Sequence, residues 1–319
     1  MKNNKVEIFF PGWTKKSVTF TIDDGKIKYD TKFLKILRPY GIMGTFNLCA
    51  PTSATPDEYR ALYKGYEIAN HCKNHPLVFD EGQPFTVSDD EFDKFNSREY
   101  TDDDPIVYKT KVDCIYRIHN IPSRVRPDGW FPITDRENYF RFVSETRDEL
   151  EEIFGKGSVK SFVWPYKEQS NEVLLESLKN AGYNSIRKTG ELGSSTEFNL
   201  PSDRMSWSYN AGATTLLSTM YEYEAFADDG NLKFFCFGLH SYDYEKTGKW
   251  DDLAEFAKRY GNRPEDYYYA TVSDIFEYED AANNLIITDT EVVNNSDKTL
   301  YLKIKGERIK LCEGSSFAF

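Results

Sequence analysis

The chain has 319 residues, of which 39% are apolar and 16% aromatic, enough for one large domain or two modest ones and far too aromatic for a disordered chain. Lys and Arg total 40 against 52 Asp and Glu, so the net charge of −12 would repel a phosphate backbone and argues against nucleic acid as a partner. Mean hydropathy is −0.63 and no apolar run approaches the ~20 residues of a bilayer span, which argues against a membrane partner and excludes a transmembrane helix.

The opening stretch, Met1 to Trp13, has two lysines and no apolar run of signal-peptide length, so a cytoplasmic location is expected. Ser17 to Ile22 is β-branched and aromatic and reads as a buried strand ending at Asp23-Asp24-Gly25, a turn signal. Tyr29 to Tyr40 places Phe33, Leu34, Ile36 and Leu37 on one helical face, stopped by Pro39 and Gly41. Gly44 to Leu48 is a second strand, Asp57 to Tyr63 a short helix, and Tyr66 to Asn70 a third strand. Strand, helix and strand at this pitch predict βα units around a parallel sheet.

Residues from about 78 to 136 are acidic and proline-bearing, and read as an insertion over one end of the sheet. The βα rhythm resumes with a helix from Glu137 to Phe154, a strand at Val159 to Val163, a helix at Asn171 to Asn180 and a strand at Asn184 to Arg187. Lys233 to Leu239 is a late buried strand ending at His240, followed by helices near Trp250 to Tyr260 and Thr271 to Ala282. From 285 to 319 the pattern turns to β-prone segments separated by turns, a small appendage to the 1–284 unit. Cys49, Cys72, Cys114, Cys236 and Cys312 are odd in number and widely spaced, the usage of reduced thiols.

Three features carry chemistry. Asp23 and Asp24 sit at the C-terminal end of a strand, the edge where α/β folds place catalytic groups; a plain helix N-cap is the alternative. His71 and His75 have the His-x-x-x-His spacing that brings two imidazoles onto one ion, zinc, cobalt, nickel or iron. His240 again ends a strand, where a buried packing histidine is the alternative. Together they would converge on one rim of a parallel sheet. Two histidines and one carboxylate leave coordination positions open, as in a catalytic site. His119, inside the insertion, reads as having no role in chemistry; Cys72 reads as packing, with a thiolate ligand the alternative, and Trp130 and Trp207 as core, with sugar stacking the alternative.

The strand Val18 to Gly25, then His71-x-x-x-His75, then Phe162-Val163-Trp164-Pro165-Tyr166, then Leu239-His240, resembles the polysaccharide deacetylases, the NodB-type carbohydrate esterases of family four. The resemblance implies a distorted, incomplete (β/α) barrel with the small C-terminal β appendage. It implies a divalent metal, usually zinc but also cobalt or nickel, on Asp24, His71 and His75. Asp23 would be the general base and His240 the general acid, with Tyr166 offering a backbone N–H to the oxyanion. Trp164 would offer a flat face to a sugar ring, with Pro165 beside it, and Leu239 would line an acetyl pocket. The implied activity is removal of acetyl groups from N- or O-acetylated carbohydrate. Hydrolysis of a small non-sugar amide or imide, or carbohydrate binding without catalysis, are the alternatives. The third motif lacks the arginine that many members use to orient the base, and Lys167 replaces a glycine. Arg187 is the candidate substitute, with Arg204 second.

Overall fold

Eight parallel strands build the centre of this computed structural model: β1 (Lys16–Asp23), β2 (Thr45–Leu48), β3 (Glu67–Asn70), β4 (Ser161–Val163), β5 (Ser185–Glu191), β6 (Trp207–Tyr209), β7 (Lys233–His240) and β8 (Tyr267–Tyr269). The structure describes residues 6–51, 53–73, 75, 77–79, 84–86, 107–110, 115–118, 130–132, 136–165, 172–192 and 197–318. The strand order is β6-β5-β4-β3-β2-β1-β7, every neighbour parallel. The end of β6 returns to β7: Ala211 bridges Phe237, the Asn210 N–H donates to Cys236 O at 2.7 Å and the Gly238 N–H to Ala211 O at 2.9 Å. The sheet therefore curls into a distorted barrel of seven strands. It is incomplete where β4, three residues long, meets β3 only at Phe162 and Asn70.

β1 has one edge taken along its whole length by β7, so β2 and β8 share the other: β8 pairs with Lys16–Val18 and β2 with Thr21–Asp23. Period-two alternation along β1 sorts its side chains. Val18, Phe20 and Ile22 join the core under the helices, while Thr19, Thr21 and Asp23 are buried on the other face, where Asn47 bridges Thr21 and Asp23.

The helices α1 (Ile27–Leu37), α2 (Pro56–Leu62), α3 (Arg136–Phe154), α4 (Glu172–Asn180), α5 (Leu216–Ala225), α6 (Trp250–Tyr260) and α7 (Val272–Asn283) alternate with the strands. In α1, Phe33, Leu34 and Leu37 form the buried face, and a 3₁₀ turn at Arg38–Tyr40 carries Pro39 to Gly41 at φ 67°. α2 starts on a capping box between Thr55 and Glu58 with Pro56 at its first position. α7 starts at the N-terminal ends of the strands: Glu67 accepts from Ser273 N at 3.0 Å and from Ser273 Oγ at 2.5 Å, and Val272 N donates to Thr45 Oγ1 at 3.3 Å.

The chain beyond residue 285 forms two small antiparallel sheets. Leu300–Ile304 pairs with Glu307–Leu311 and with the N-terminal strand Val6–Phe9; Glu291–Val293 pairs with Ile286–Ile287 and Ser316–Ala318. Leu300, Leu302 and Ile304 alternate inward and pack in one core with Ile275, Phe276 and Ala282 of α7. Within 78–136 the described strands are Leu77–Phe79 with Trp130–Pro132, and Pro84–Thr86, Val107–Thr110 and Ile115–Ile118 in antiparallel array. Cys114 and His119 lie outside the described residues. No helix among the described residues is long and apolar enough to cross a membrane.

Candidate metal centre and active site

The C-terminal ends of β1, β2, β4, β5 and β7 and the loop after β3 meet at one mouth of the barrel. Parallel register places Asp23 beside Asn47 on one side and beside His240 on the other. The chain then leaves β1 through two left-handed residues, Asp24 at φ 77° and Gly25 at φ 66°, and a Cβ at Gly25 would lie 2.7 Å from the Leu48 side chain. Two more non-glycine residues, Cys72 at φ 61° and His75 at φ 48°, turn the segment after β3. His71 N donates to Leu48 O at 2.9 Å, Cys72 N to Asn70 Oδ1 at 2.8 Å and His75 N to Cys72 O at 3.1 Å, so hydrogen bonds hold the turn at these three residues. Left-handed backbone at non-glycine residues costs of order 1–3 kcal/mol each and persists where the surroundings over-determine it. Here it folds the two imidazoles to a ring separation of 4.9 Å.

Asp24 Oδ1 lies 3.6 Å from His71 Nε2 and 3.7 Å from His75 Nε2. Among the described residues, these three are the group whose ligand atoms all fall within 4.8 Å of one another. Asp24 Oδ1 and His71 Nε2 are buried with no hydrogen-bond partner among the described residues, which for buried polar atoms calls for an explanation. A divalent cation would supply one. His71 Nδ1 donates to Val163 O at 3.0 Å, which leaves Nε2 as a lone-pair donor facing Asp24. Burial and the neighbouring His71 push His75 down to about 4, so its ring is neutral and able to ligate near pH 7. Burial alone would raise the Asp24 carboxyl, but the imidazoles of His71, His240 and His75 around it hold it well below the usual carboxylate range. The donor set of one carboxylate and two imidazoles suits zinc, cobalt or nickel.

Asp23 is 1% exposed and makes a different set of contacts. Arg187, on β5, donates to its Oδ1, and Asn47 Nδ2 donates to the same oxygen at 2.7 Å. Its Oδ2 is left 4.0 Å from His71 Nε2. Burial would raise this carboxyl, and the charges of Arg187, His71 and His240 outweigh it and keep it below its ordinary value. Arg187 reaches Asp23 because β4 and β5 pair Val163 with Arg187. Arg204 instead pairs with Glu279 and Asp280 of α7, away from the site.

His240 closes the mouth from the β7 side. Its Nδ1 donates to Asp243 Oδ2 at 3.0 Å and its N–H to the same oxygen at 3.1 Å, which leaves Nε2 4.0 Å from Asp24 Oδ2. Burial lowers the ring's pKa, but Asp243, Asp23 and Asp24 outweigh it and raise it above the ordinary histidine value. Tyr242 stacks on His240 at 4.5 Å and donates its hydroxyl to Asp24 Oδ2 at 3.0 Å.

Sequence reasoning missed Asn47, Tyr242 and Asp243. A signal for Asn47 was its place as the one amide in the apolar run Phe46-Asn47-Leu48. Asp243 stands three residues after His240, within reach of a local turn. Trp164 requires a correction. It is 2% exposed, stacked 6.1 Å from Tyr139 and edge-on to Phe162 at 5.3 Å, so protein rings occupy the face expected to meet a sugar. Pro165 is buried beside it. Leu239 pairs with Ile22 in the β7–β1 register; its side chain, and all of Tyr166, lie outside the described residues.

Residues 12–108 match the polysaccharide deacetylase family. Over that stretch the chain resembles the polysaccharide deacetylases. The matched stretch contains Asp23, Asp24, His71 and His75; Arg187 and His240 lie beyond it. Similar solved structures include the peptidoglycan deacetylase PdaC from Bacillus subtilis, at 16% identity over 84% of this chain and 93% of that chain, TM-score 0.45. The Xyl-CE4 domain of a multidomain xylanase from the hindgut metagenome of Trinervitermes trinervoides is 16% identical over 83% of this chain and 92% of that one, TM-score 0.43. A family 4 acetyl xylan esterase from Clostridium thermocellum, in complex with a cobalt ion, is 15% identical over 82% and 90%, TM-score 0.42. No curated protein matches the chain.

Proposed function

We propose that the protein is a metal-dependent hydrolase that removes acetyl groups from N- or O-acetylated carbohydrate. The observation that carries the reading is the facing pair of unsatisfied buried atoms, Asp24 Oδ1 and His71 Nε2, with His75 Nε2 beside them and a second, separately held carboxylate next to them. A divalent ion held by Asp24, His71 and His75 would supply Lewis acidity to an acyl carbonyl and to water near neutral pH.

The remaining chemistry belongs to the chain. Asp23 has one oxygen occupied by Arg187 and Asn47 and the other directed towards His71, so Oδ2 is the atom that takes a proton from water. Arg187 keeps this carboxylate ionised despite its burial. His240 is fixed by Asp243 through Nδ1 and presents Nε2 towards the mouth, where it gives a proton to the departing nitrogen or oxygen. The surroundings push the two groups in opposite directions, Asp23 below and His240 above its ordinary value, as an acid–base pair requires. The family resemblance across residues 12–108 supports an acyl-sugar substrate.

The test is metal content together with acetate release from N-acetylglucosamine oligomers and acetylated xylan, with a small non-sugar amide as the comparison substrate. Acetate from either glycan, lost on chelation and restored by zinc or cobalt, is the expected result. Turnover of the small amide alone would overturn the carbohydrate reading.

A further inference from the structure

One side chain touches both halves of the proposed site. The Tyr242 hydroxyl donates to Asp24 Oδ2 at 3.0 Å, and its ring lies on the His240 imidazole at 4.5 Å with 15° between planes. The segment around it is pinned on either side. Ser241 donates to the buried Asp30 at 2.5 Å, and Asp243 accepts from His240 before opening the short helix Asp243–Lys246. Lys246 Nζ stands 4.3 Å from the Tyr242 ring centroid and Tyr29 meets the ring edge-on at 6.0 Å, so the ring has few alternative positions.

We propose that Tyr242 is a positioning residue that couples the metal half of the site to the proton-donating half. This rests on the reading of Asp24, His71 and His75 as metal ligands. A carboxylate offers two oxygens, and which one faces an ion depends on what holds the other. Tyr242 occupies Oδ2, so Oδ1 is the oxygen left facing both histidines. The same ring forms one wall of His240 and limits how far the imidazole can turn away from the mouth. The hydroxyl thus acts on the metal half, and the ring on the acid half.

Those two actions separate by mutation. Tyr242→Phe deletes the hydroxyl and keeps the ring; Tyr242→Leu deletes both. Co²⁺ is titrated into metal-free wild type and both variants, with affinity from chelator competition and the Co²⁺ absorption bands recorded. Loss of a partner that orients a ligand weakens metal binding by roughly 10–100-fold. Both variants should show that loss and altered bands. Only Tyr242→Leu should also move the ¹⁵N imidazole resonances of His240 in the metal-free protein, and urea unfolding of each metal-free variant confirms that it is folded. Affinity within about twofold of wild type in folded Tyr242→Phe, with Tyr242→Leu weakened, means that the ring serves packing only and overturns the proposal. Wild-type protein that takes up no Co²⁺ overturns the metal reading of the site, and this inference with it.

Discussion

Arg187 on β5 and Asp23 on β1 form an ion pair in which the arginine is fully buried and the aspartate 1% exposed. Removing one member of such a pair leaves an uncompensated buried charge and costs roughly 3–5 kcal/mol. Arg187→Met should therefore destabilise the protein by about that amount in urea unfolding. Asp23→Asn combined with Arg187→Met should recover part of the loss. Without the guanidinium, burial dominates and the Asp23 carboxyl rises. The acid limb of kcat/KM should then move to higher pH. An unmoved limb would mean that a different group sets it.

The acid and base should part company by substrate. Asp23→Asn should keep Co²⁺ binding and lose ~10²–10⁴-fold in hydrolysis, since an amide side chain cannot accept the proton. His240→Ala should lose as much on an acetylated amide and less on an acetylated ester, whose alkoxide leaves more readily than an unprotonated amine. Comparing kcat/KM on both substrates at checked metal occupancy tests this, and near wild-type amide turnover by either variant would remove that residue from its role.

Much of this site was legible because β-branched and aromatic runs end at its polar residues. Val18 to Ile22 announces a strand, so Asp23 and Asp24 could be placed at its end. What stayed hidden depends on register. Arg187 and Arg204 look alike in sequence, and only the pairing of Val163 with Arg187 brings one of them to Asp23 while α7 takes the other. Trp164 looked like a sugar platform because of its neighbours in sequence, yet Tyr139 of α3, 25 residues earlier, covers it. β6 and β8, three residues each, are too short to show a period, and Val6–Phe9 declares itself a strand only by pairing almost three hundred residues later.

Metal should stabilise the fold by mass action. An ion that binds the native state alone contributes about 4 kcal/mol at a thousand times its dissociation constant. Adding Zn²⁺ or Co²⁺ should raise the melting temperature of wild type, and a chelator should reverse it. His71→Ala should abolish the increment, because it removes a buried ligand atom that nothing else in the described protein satisfies. An unchanged increment in His71→Ala would place the ion elsewhere.

Asp30 gives stability a pH dependence of its own. Burial, opposed by hydrogen bonds from Ser241 and Tyr63, pushes its carboxyl from 3.8 up to about 7. Between those values the native state keeps a proton that the unfolded chain has released, so stability present below about pH 4 is lost as pH rises towards 7. A displacement of that size is worth about 4 kcal/mol over the whole window. Urea unfolding of wild type and Asp30→Asn at several pH values between 4 and 8 should show wild type losing stability relative to the variant as pH rises. A constant difference would show that Asp30 keeps an ordinary carboxylate pKa.

The C-terminal β segment should govern stability without touching the metal. Leu302 is fully buried among residues of α7, which is anchored at the strand starts through Glu67 and Thr45, whereas the proposed metal ligands sit at or just beyond the strands' opposite ends. Leu302→Ala removes buried methyl groups and leaves a cavity, a loss of roughly 2–5 kcal/mol. Deleting residues 285–319 goes further, since it also strips Val6–Phe9 of its partner strand and uncovers Phe276 and Ala282. Both changes should lower stability, and the deletion should lower solubility as well. Co²⁺ affinity should stay within about twofold of wild type in whatever protein remains folded. A folded Leu302→Ala or truncated protein that no longer binds Co²⁺ would show that the two ends of the barrel are coupled and that the tail takes part in forming the site.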